Sequence, residues 1–303
     1  MSLLKASIDL GTNTARLLIG FELDGKIARH HICRRITRLG GGFSREHGIS
    51  KDAANRTIAA MKEFAATLEE FKITSLRAVA TSAVRDAVNR EEFCREVLLE
   101  SGIELEVISG DDEGRLTLSG VVSGLDFMPE TMLVFDVGGG STEYTISRND
   151  EILFSSSLPL GVVRLTEGKG SIHLMEEKIV RELSGLKDRI NSLGLLNCLQ
   201  GATLIGTAGT ATTLAAISMG LADYDYTKVN NHSITREEIH TVLARLLPLT
   251  PKERLESIVG LEEGREDLIV AGVLLTLKTL DMFGFPAMKV SDFGLLEGII
   301  LDM

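Results

Sequence analysis

Two stretches of the chain repeat one another at a fixed distance, and that repeat limits the folds open to it. IDLGTNTARLLI, from Ile8 to Ile19, lies over FDVGGGSTEYTI, from Phe135 to Ile146, matching Asp9 to Asp136, Gly11 to Gly138 and Thr14 to Ser141 at an offset of 127. A second pair, VATSAVRDA and IGTAGTATT, sets Thr81 against Thr207 at an offset of 126. Two separate pairs that keep almost one spacing point to an ancient duplication rather than to two chance Gly-rich turns. The period is far longer than the roughly 20–50 residues of a stacked solenoid unit. The expected product is a pair of similar domains.

Each copy opens in the same way. KASIDLGTNTARLLIGFELDGKIARHHICR reads as strand, tight turn, strand, Asp-Gly turn and strand, an antiparallel three-strand opening. A helix follows, N-capped by Ser50, with Ala54, Ile58, Met61, Ala65 and Leu68 at helical spacing up to Phe71. SLRAVAT is a short apolar strand, and helices are expected near 90–100 and 112–124. ETMLVFDVGGGSTEYTISRNDEILFSSSL restarts the pattern and leads into an amphipathic helix over roughly 175–193. The expected architecture is α/β, with domains 1–125 and 126–303 flanking a cleft and a terminal helix near 293–303 that can pack on the first.

The formal charge of -11 argues against a nucleic-acid partner or an anionic membrane surface. Cys33, Cys94 and Cys198 are odd in number and scattered, which suggests neither a disulfide framework nor a zinc site. No signal-peptide pattern and no run of about 18 apolar residues is visible, so a cytoplasmic location is expected. A homodimer is left open.

The turns carry the chemistry. Gly138, Gly139 and Gly140 let backbone amides approach an anion, and Ser141 adds a hydroxyl; Gly11, Thr12, Asn13 and Thr14 occupy the same place in the first copy. Gly206, Thr207, Gly209 and Thr210 read as a strand-to-helix turn that can hold a further phosphate, or as a plain small-residue helix start. Asp9 and Asp136 end apolar strands, where a bare carboxylate is costly, so a cation or a hydrogen-bond cage is expected. Magnesium suits Asp136 with Glu143, because it takes few carboxylates and keeps waters and phosphate oxygens; manganese is the alternative. Glu113, at a helix start, is the candidate general base, with Asp111 and Asp112 as competitors by position. From Lys26 to Arg45 the chain has Lys26, Arg29, Arg34, Arg35, Arg38 and Arg45 with no acid. Such a strip can guide a long anion or simply solvate a strand face. Arg85 is a candidate phosphate clamp.

Together, IDLGTNTARLLI, RLGGGF, ATSAVRDAVN, ISGDDEGRLTLSG, FDVGGGSTEY, LPLGVVRLTE, GTAGTATTLAA and GREDLIVAG resemble the Ppx/GppA family of exopolyphosphatases and guanosine pentaphosphate phosphatases, within the actin-like fold group. The resemblance implies a catalytic Glu113, magnesium or phosphate roles for Asp136 and Glu143, and phosphate contacts from Asn13, Arg85, Gly138, Gly139, Gly140 and Ser141. It implies polyphosphate, or guanosine pentaphosphate in its place, as substrate. An actin-fold ATPase or sugar kinase and a non-catalytic polyanion sensor are the rival classes. Longer relatives add a helical C-terminal region linked to processivity, so distributive action on short chains is expected here. In SDFGLLEGII, Leu296 stands where many relatives carry arginine.

Overall fold

The computed structural model describes residues 3–44 and 46–303; Arg45, the end of the basic stretch, lies outside the described residues. The chain forms two compact units, Met1–Ser123 with Gly294–Met303, and Gly124–Phe293. The C-terminal segment thus groups with the first unit rather than closing the second.

In the first unit, β1 (Lys5–Leu10), β2 (Thr14–Leu23), β3 (Lys26–Ile36), β4 (Leu76–Ala80) and β5 (Leu105–Val107) form a sheet of order β3-β2-β1-β4-β5. The β1-β2-β3 side is antiparallel and the β1-β4-β5 side parallel. Alternation sends Ala6, Ile8 and Leu10 to one face, where α1 (Lys51–Glu70) lays Ala53, Met61, Phe64 and Leu68 against them. The Ser50 hydroxyl accepts the Ala53 N–H and starts that helix. α2 (Ser82–Arg85) and α3 (Arg90–Ser101) complete this side.

The other face meets α4 (Gly110–Gly124) and the C-terminal helix Leu295–Leu301 through Val79, Ile108, Leu116, Leu295 and Ile299. These two helices touch backbone to backbone. A Cβ on Gly298 would sit 1.8 Å from the Leu116 carbonyl oxygen, so no side chain fits there. The terminal helix is also pinned to the sheet. Ser7 Oγ donates to the Leu296 carbonyl at 2.8 Å, and Arg29 Nη2 meets Glu297 Oε1 at 2.8 Å with both side chains buried. Leu296, the departure noted in the sequence, is itself buried.

This pairing corrects the basic strip. Arg29 is an internal residue, Arg35 Nε binds Glu63 at 2.6 Å, and the His30 and His31 rings lie 5.4 and 5.2 Å from Phe71. β3 ends its sheet, and charged side chains along such an edge discourage pairing with another strand.

The second unit repeats the plan. β6 (Thr131–Val137), β7 (Thr142–Arg148), β8 (Glu151–Leu158), β9 (Thr203–Thr207), β10 (Ser233–Thr235) and β11 (Ala287–Val290) are ordered β10-β11-β9-β6-β7-β8. Read from β8 to β11 this is the first sheet again, with β10 added antiparallel to β11. α5 (Val162–Lys169), α6 (Ile172–Ser192), α7 (Ala208–Met219), α8 (Tyr226–Val229), α9 (Arg236–Leu246), α10 (Pro251–Ser257) and α11 (Ile269–Phe283) accompany it. Phe135 and Tyr144, opposite one another, stack at 6.0 Å in the core. Burial pushes the Tyr144 hydroxyl well above its ordinary pKa, and Thr279 Oγ1 lies 2.8 Å from it. No described helix is long and apolar enough to cross a membrane.

Removing one member of a buried ion pair strands the other, at a cost on the order of 3–5 kcal/mol. Arg29→Met is therefore expected to destabilise the protein by about that much in urea unfolding. Adding Glu297→Gln should recover a large part, because glutamine can still accept the Gly294 N–H that Glu297 Oε2 accepts at 2.8 Å. Equal losses in the single and double variants would show that the pair is not what holds the terminal helix.

Candidate active site

Strand register puts the key residues of the second unit in one row. Asp136 on β6 is directly opposite Glu143 on β7, Glu143 is opposite Ser157 on β8, and Thr207 on β9 is the other neighbour of Asp136. Opposed residues share a face, here the face away from Phe135 and Tyr144. Asp136 is 8% exposed and Glu143 2%. Carboxylates directly opposite, with Cβ atoms about 4.5–5.5 Å apart, repel one another. A divalent cation would offset that repulsion. Among the described residues no three His, Cys, Asp or Glu side chains converge. A two-carboxylate donor set fits an ion that keeps its waters and takes phosphate oxygens.

The first unit solves the same problem internally. Its row is Val79, Asp9, Arg16 and Arg34 on β4, β1, β2 and β3. Arg16 stands where Glu143 stands in the second copy, and its Nε and Nη2 reach Asp9 Oδ2 at 3.0 and 2.5 Å. The cation beside Asp9 is the chain's own, which gives Asp9 a charge partner without a metal.

The two turns are built alike. Gly11 N–H donates to the Thr14 carbonyl at 2.9 Å, and Gly138 N–H to that of Ser141 at 3.0 Å. In each, carbonyl oxygens that would repel a phosphate are tied to the segment after the third strand. Thr12 O accepts from Gly40, and Asn13 O from Thr37 and Arg38; Gly138 O accepts from Val162, and Gly139 O from Val163 and Arg164. Arg38 takes φ 45°, a left-handed backbone unusual for a residue with a side chain, and its N–H donates to the Asn13 carbonyl at 2.9 Å. Thr12 Oγ1 lies 2.9 Å from Ser82 Oγ at the start of α2. Gly138, Gly139 and Gly140 do not have positive φ, and Gly161 lies against the backbone of this turn. A Cβ on Gly161 would lie 2.1 Å from the Gly139 oxygen. Ser141, expected at phosphate, points its hydroxyl instead to Glu143 Oε1 at 2.7 Å.

At the other end of α2, Arg85 Nη1 donates to Glu113 Oε2 at 3.0 Å and to the Ile108 carbonyl at 3.1 Å. Arg85 is thus at once a candidate clamp and the group that orients Glu113. Glu113 is buried in the first turn of α4, whereas Asp111 and Asp112 are exposed, and the Ser109 hydroxyl accepts the Asp112 N–H and donates to the Asp112 carboxylate. Position along the chain left these three acids open, and burial separates them.

The third turn is divided. Gly206 lies inside β9, where a Cβ would meet Met288 Sδ at 2.3 Å, and the buried Thr210 packs on Gly272 of α11. Both serve packing. Thr207 Oγ1 donates to the Phe293 carbonyl at 3.0 Å. Gly209 leaves room for the Arg265 guanidinium, whose Nη1 is 1.8 Å from where a Cβ would be and whose Nε donates to Glu262 at 2.9 Å. Arg265 and Gly161 sit within the motifs GREDLIVAG and LPLGVVRLTE, yet only the folded chain brings them to these turns.

Comparison with known proteins gives a consistent picture. The sequence profile of the Ppx/GppA phosphatase family matches residues 24–303. Exopolyphosphatase 2 of Mycobacterium tuberculosis is 33% identical over 318 aligned positions, covering 98% of each chain. The bifunctional 3-dehydroquinate synthase/phosphatase of Fusobacterium nucleatum is 32% identical over 99% of this chain, and the chain spans about half, 46%, of that protein's length. The crystal structure of the Aquifex aeolicus member of the Ppx/GppA protein family superposes with a TM-score of 0.80 at 32% identity, covering 100% of this chain and 97% of that one.

Two glycines of α5 and its start separate space from helix propensity. Gly161→Ala must push the Gly138–Gly140 turn aside and is expected to cost roughly 1–3 kcal/mol of stability. Gly168 has nothing within 4 Å of a Cβ, so Gly168→Ala should be neutral or stabilise by up to about 1 kcal/mol. Chemical denaturation of both variants checks the contrast, and a neutral Gly161→Ala would contradict the close approach.

Proposed function

The chain belongs to the Ppx/GppA phosphatase family and is a phosphoanhydride hydrolase of actin-like α/β fold, and on that premise we propose that it releases terminal orthophosphate from inorganic polyphosphate by metal-assisted attack of water. The observation that favours this substrate is the Gly138–Gly140 turn beside the buried Asp136–Glu143 row, whose backbone amides suit phosphate oxygens. The 33% identity to an exopolyphosphatase, over nearly the whole of both chains, supports the same reading. Guanosine pentaphosphate offers the same terminal anhydride and is the alternative substrate.

In this reading the amides of the two turns bind phosphate oxygens. Asp136 and Glu143 hold magnesium, with manganese as a substitute, and when bound the ion supplies charge neutralisation at the phosphate oxygens. Glu113 takes the proton of the attacking water, with Arg85 fixing the carboxylate's direction through the 3.0 Å contact. Its burial keeps the base away from bulk solvent, which the exposed Asp111 and Asp112 do not achieve.

A phosphate-release panel with short and long polyphosphate, guanosine pentaphosphate and ATP tests the substrate, and polyphosphate is expected to turn over fastest. Glu113→Gln, which keeps the shape and removes the base, should lower kcat by on the order of a hundredfold with KM little changed. A preference for ATP would transfer the chain to the kinase-like readings. Full activity in the variant would take the base away from Glu113.

A further inference from the structure

We propose that Ser157, on strand β8, is a positioning residue for Glu143 and through it sets the affinity for the divalent cation; this rests on the reading in which Asp136 and Glu143 hold that cation. Ser157 is the residue directly opposite Glu143 in the β7–β8 pairing, and its Oγ donates to Glu143 Oε1 at 2.7 Å. Ser141 Oγ donates to the same oxygen at 2.7 Å. Two hydroxyls on one carboxylate oxygen do more than satisfy it. They fix rotation about the terminal carboxylate bond, so the plane in which the second oxygen lies is set by the sheet rather than by the ion. Donors to a charged acceptor are also the stronger kind of hydrogen bond, which matters for a group only 2% exposed.

The register that delivers Ser157 is enforced from both sides. The irregularity in the β7–β8 ladder lies at Ile146/Ser147, so the pairs from Ile146–Phe154 to Thr142–Leu158 run unbroken past Glu143. Beyond β8, Leu160 is buried and Val162 N–H bonds the Gly138 carbonyl at 3.0 Å, which anchors the strand to the glycine turn itself. A slip by one residue would set Ser156 or Leu158 opposite Glu143 and turn every side chain of β8 to the other face. The first unit provides the contrast. There the matching pair across β2 and β3 is Arg16 with Arg34, and Arg16 serves as the internal cation for Asp9. A serine on the third strand accompanies the carboxylate version of the row and not the guanidinium version.

Groups that hydrogen-bond metal-ligating side chains alter metal affinity by roughly 10–100-fold when removed. Mn2+ binding, followed by the electron paramagnetic resonance signal of the free ion, reads this without turnover. Ser157→Ala is expected to weaken Mn2+ binding about tenfold, Ser157→Thr to bind nearly as wild type because the hydroxyl is kept, and Glu143→Gln to weaken it more than either. Should Ser157→Ala fail to fold, Ser157→Cys, close in size and a weaker donor, takes its place with the same expected direction. Wild-type Mn2+ affinity in the alanine or cysteine variant, with Glu143→Gln impaired, would overturn the role of Ser157 alone. Wild-type affinity in Glu143→Gln as well would overturn the cation reading beneath it.

Discussion

A carboxylate at the buried end of a β-strand needs a compensating charge, and much of this structure can be understood from how that need is met twice. Cross-strand geometry places the residue seven positions after each strand-ending aspartate directly opposite it. If that residue is arginine, the pair closes on itself; if it is glutamate, two carboxylates share a row and their repulsion has to be offset by other groups. Arg16 and Glu143 are the two answers at one position of a duplicated fold. The choice makes one hairpin a self-contained ion pair and its twin a buried pair of carboxylates held by hydroxyl donors. The hydroxyls of Ser141 and Ser157 follow from that choice, since a buried carboxylate needs donors.

The duplication is clearest in topology and has diverged in detail. Both units keep three antiparallel strands and then parallel neighbours on the far side of the first. The parallel register differs by two residues relative to the repeat, with Asp9 beside Val79 and Asp136 beside Thr207. A two-residue shift preserves which face each side chain takes, whereas a shift of one would not. The segment that ties down each turn differs more. In the first unit it is a loop held by the left-handed Arg38, and in the second it is the start of a helix at Gly161. What the copies share is the task of occupying the turn's carbonyl oxygens.

These features differ in how far the sequence alone reveals them. The duplicated order, the Ser50 cap and the helices at 51–70 and 90–101 rest on local patterns, namely period, turn residues and caps, and the structure has them where those patterns point. The burial that distinguishes Glu113 from Asp111 and Asp112 is a tertiary property, and three consecutive acids at a helix start look alike until α4 is docked. Arg16 could have been found by extending the 127-residue offset two positions beyond Thr14 and Ser141. Ser157 could not, because its place opposite Glu143 depends on the length of the β7–β8 turn. Gly206 and Thr210 are open to two readings for a related reason: a Gly/Thr-rich turn before a helix has the composition of a phosphate loop and of a packed helix start alike, and Met288 and Gly272 occupy the space next to them.

The basic strip shows why counting charges along a strand overstates what a polyanion would meet. Burial decides which of them a ligand can recruit. Arg29 is locked to Glu297 inside the first unit, and breaking that contact would leave a carboxylate stranded out of water, so no phosphate can compete for it at reasonable cost. Arg35 and Glu63 form an exposed pair worth no more than about 1 kcal/mol, which a multiply charged chain can displace with little penalty. Two arginines six residues apart on one strand therefore have opposite standing, one a structural bolt for the C-terminal helix and the other a reserve of positive charge. The difference comes from what lies over each position: the terminal helix covers Arg29, while Arg35 reaches an exposed carboxylate on α1.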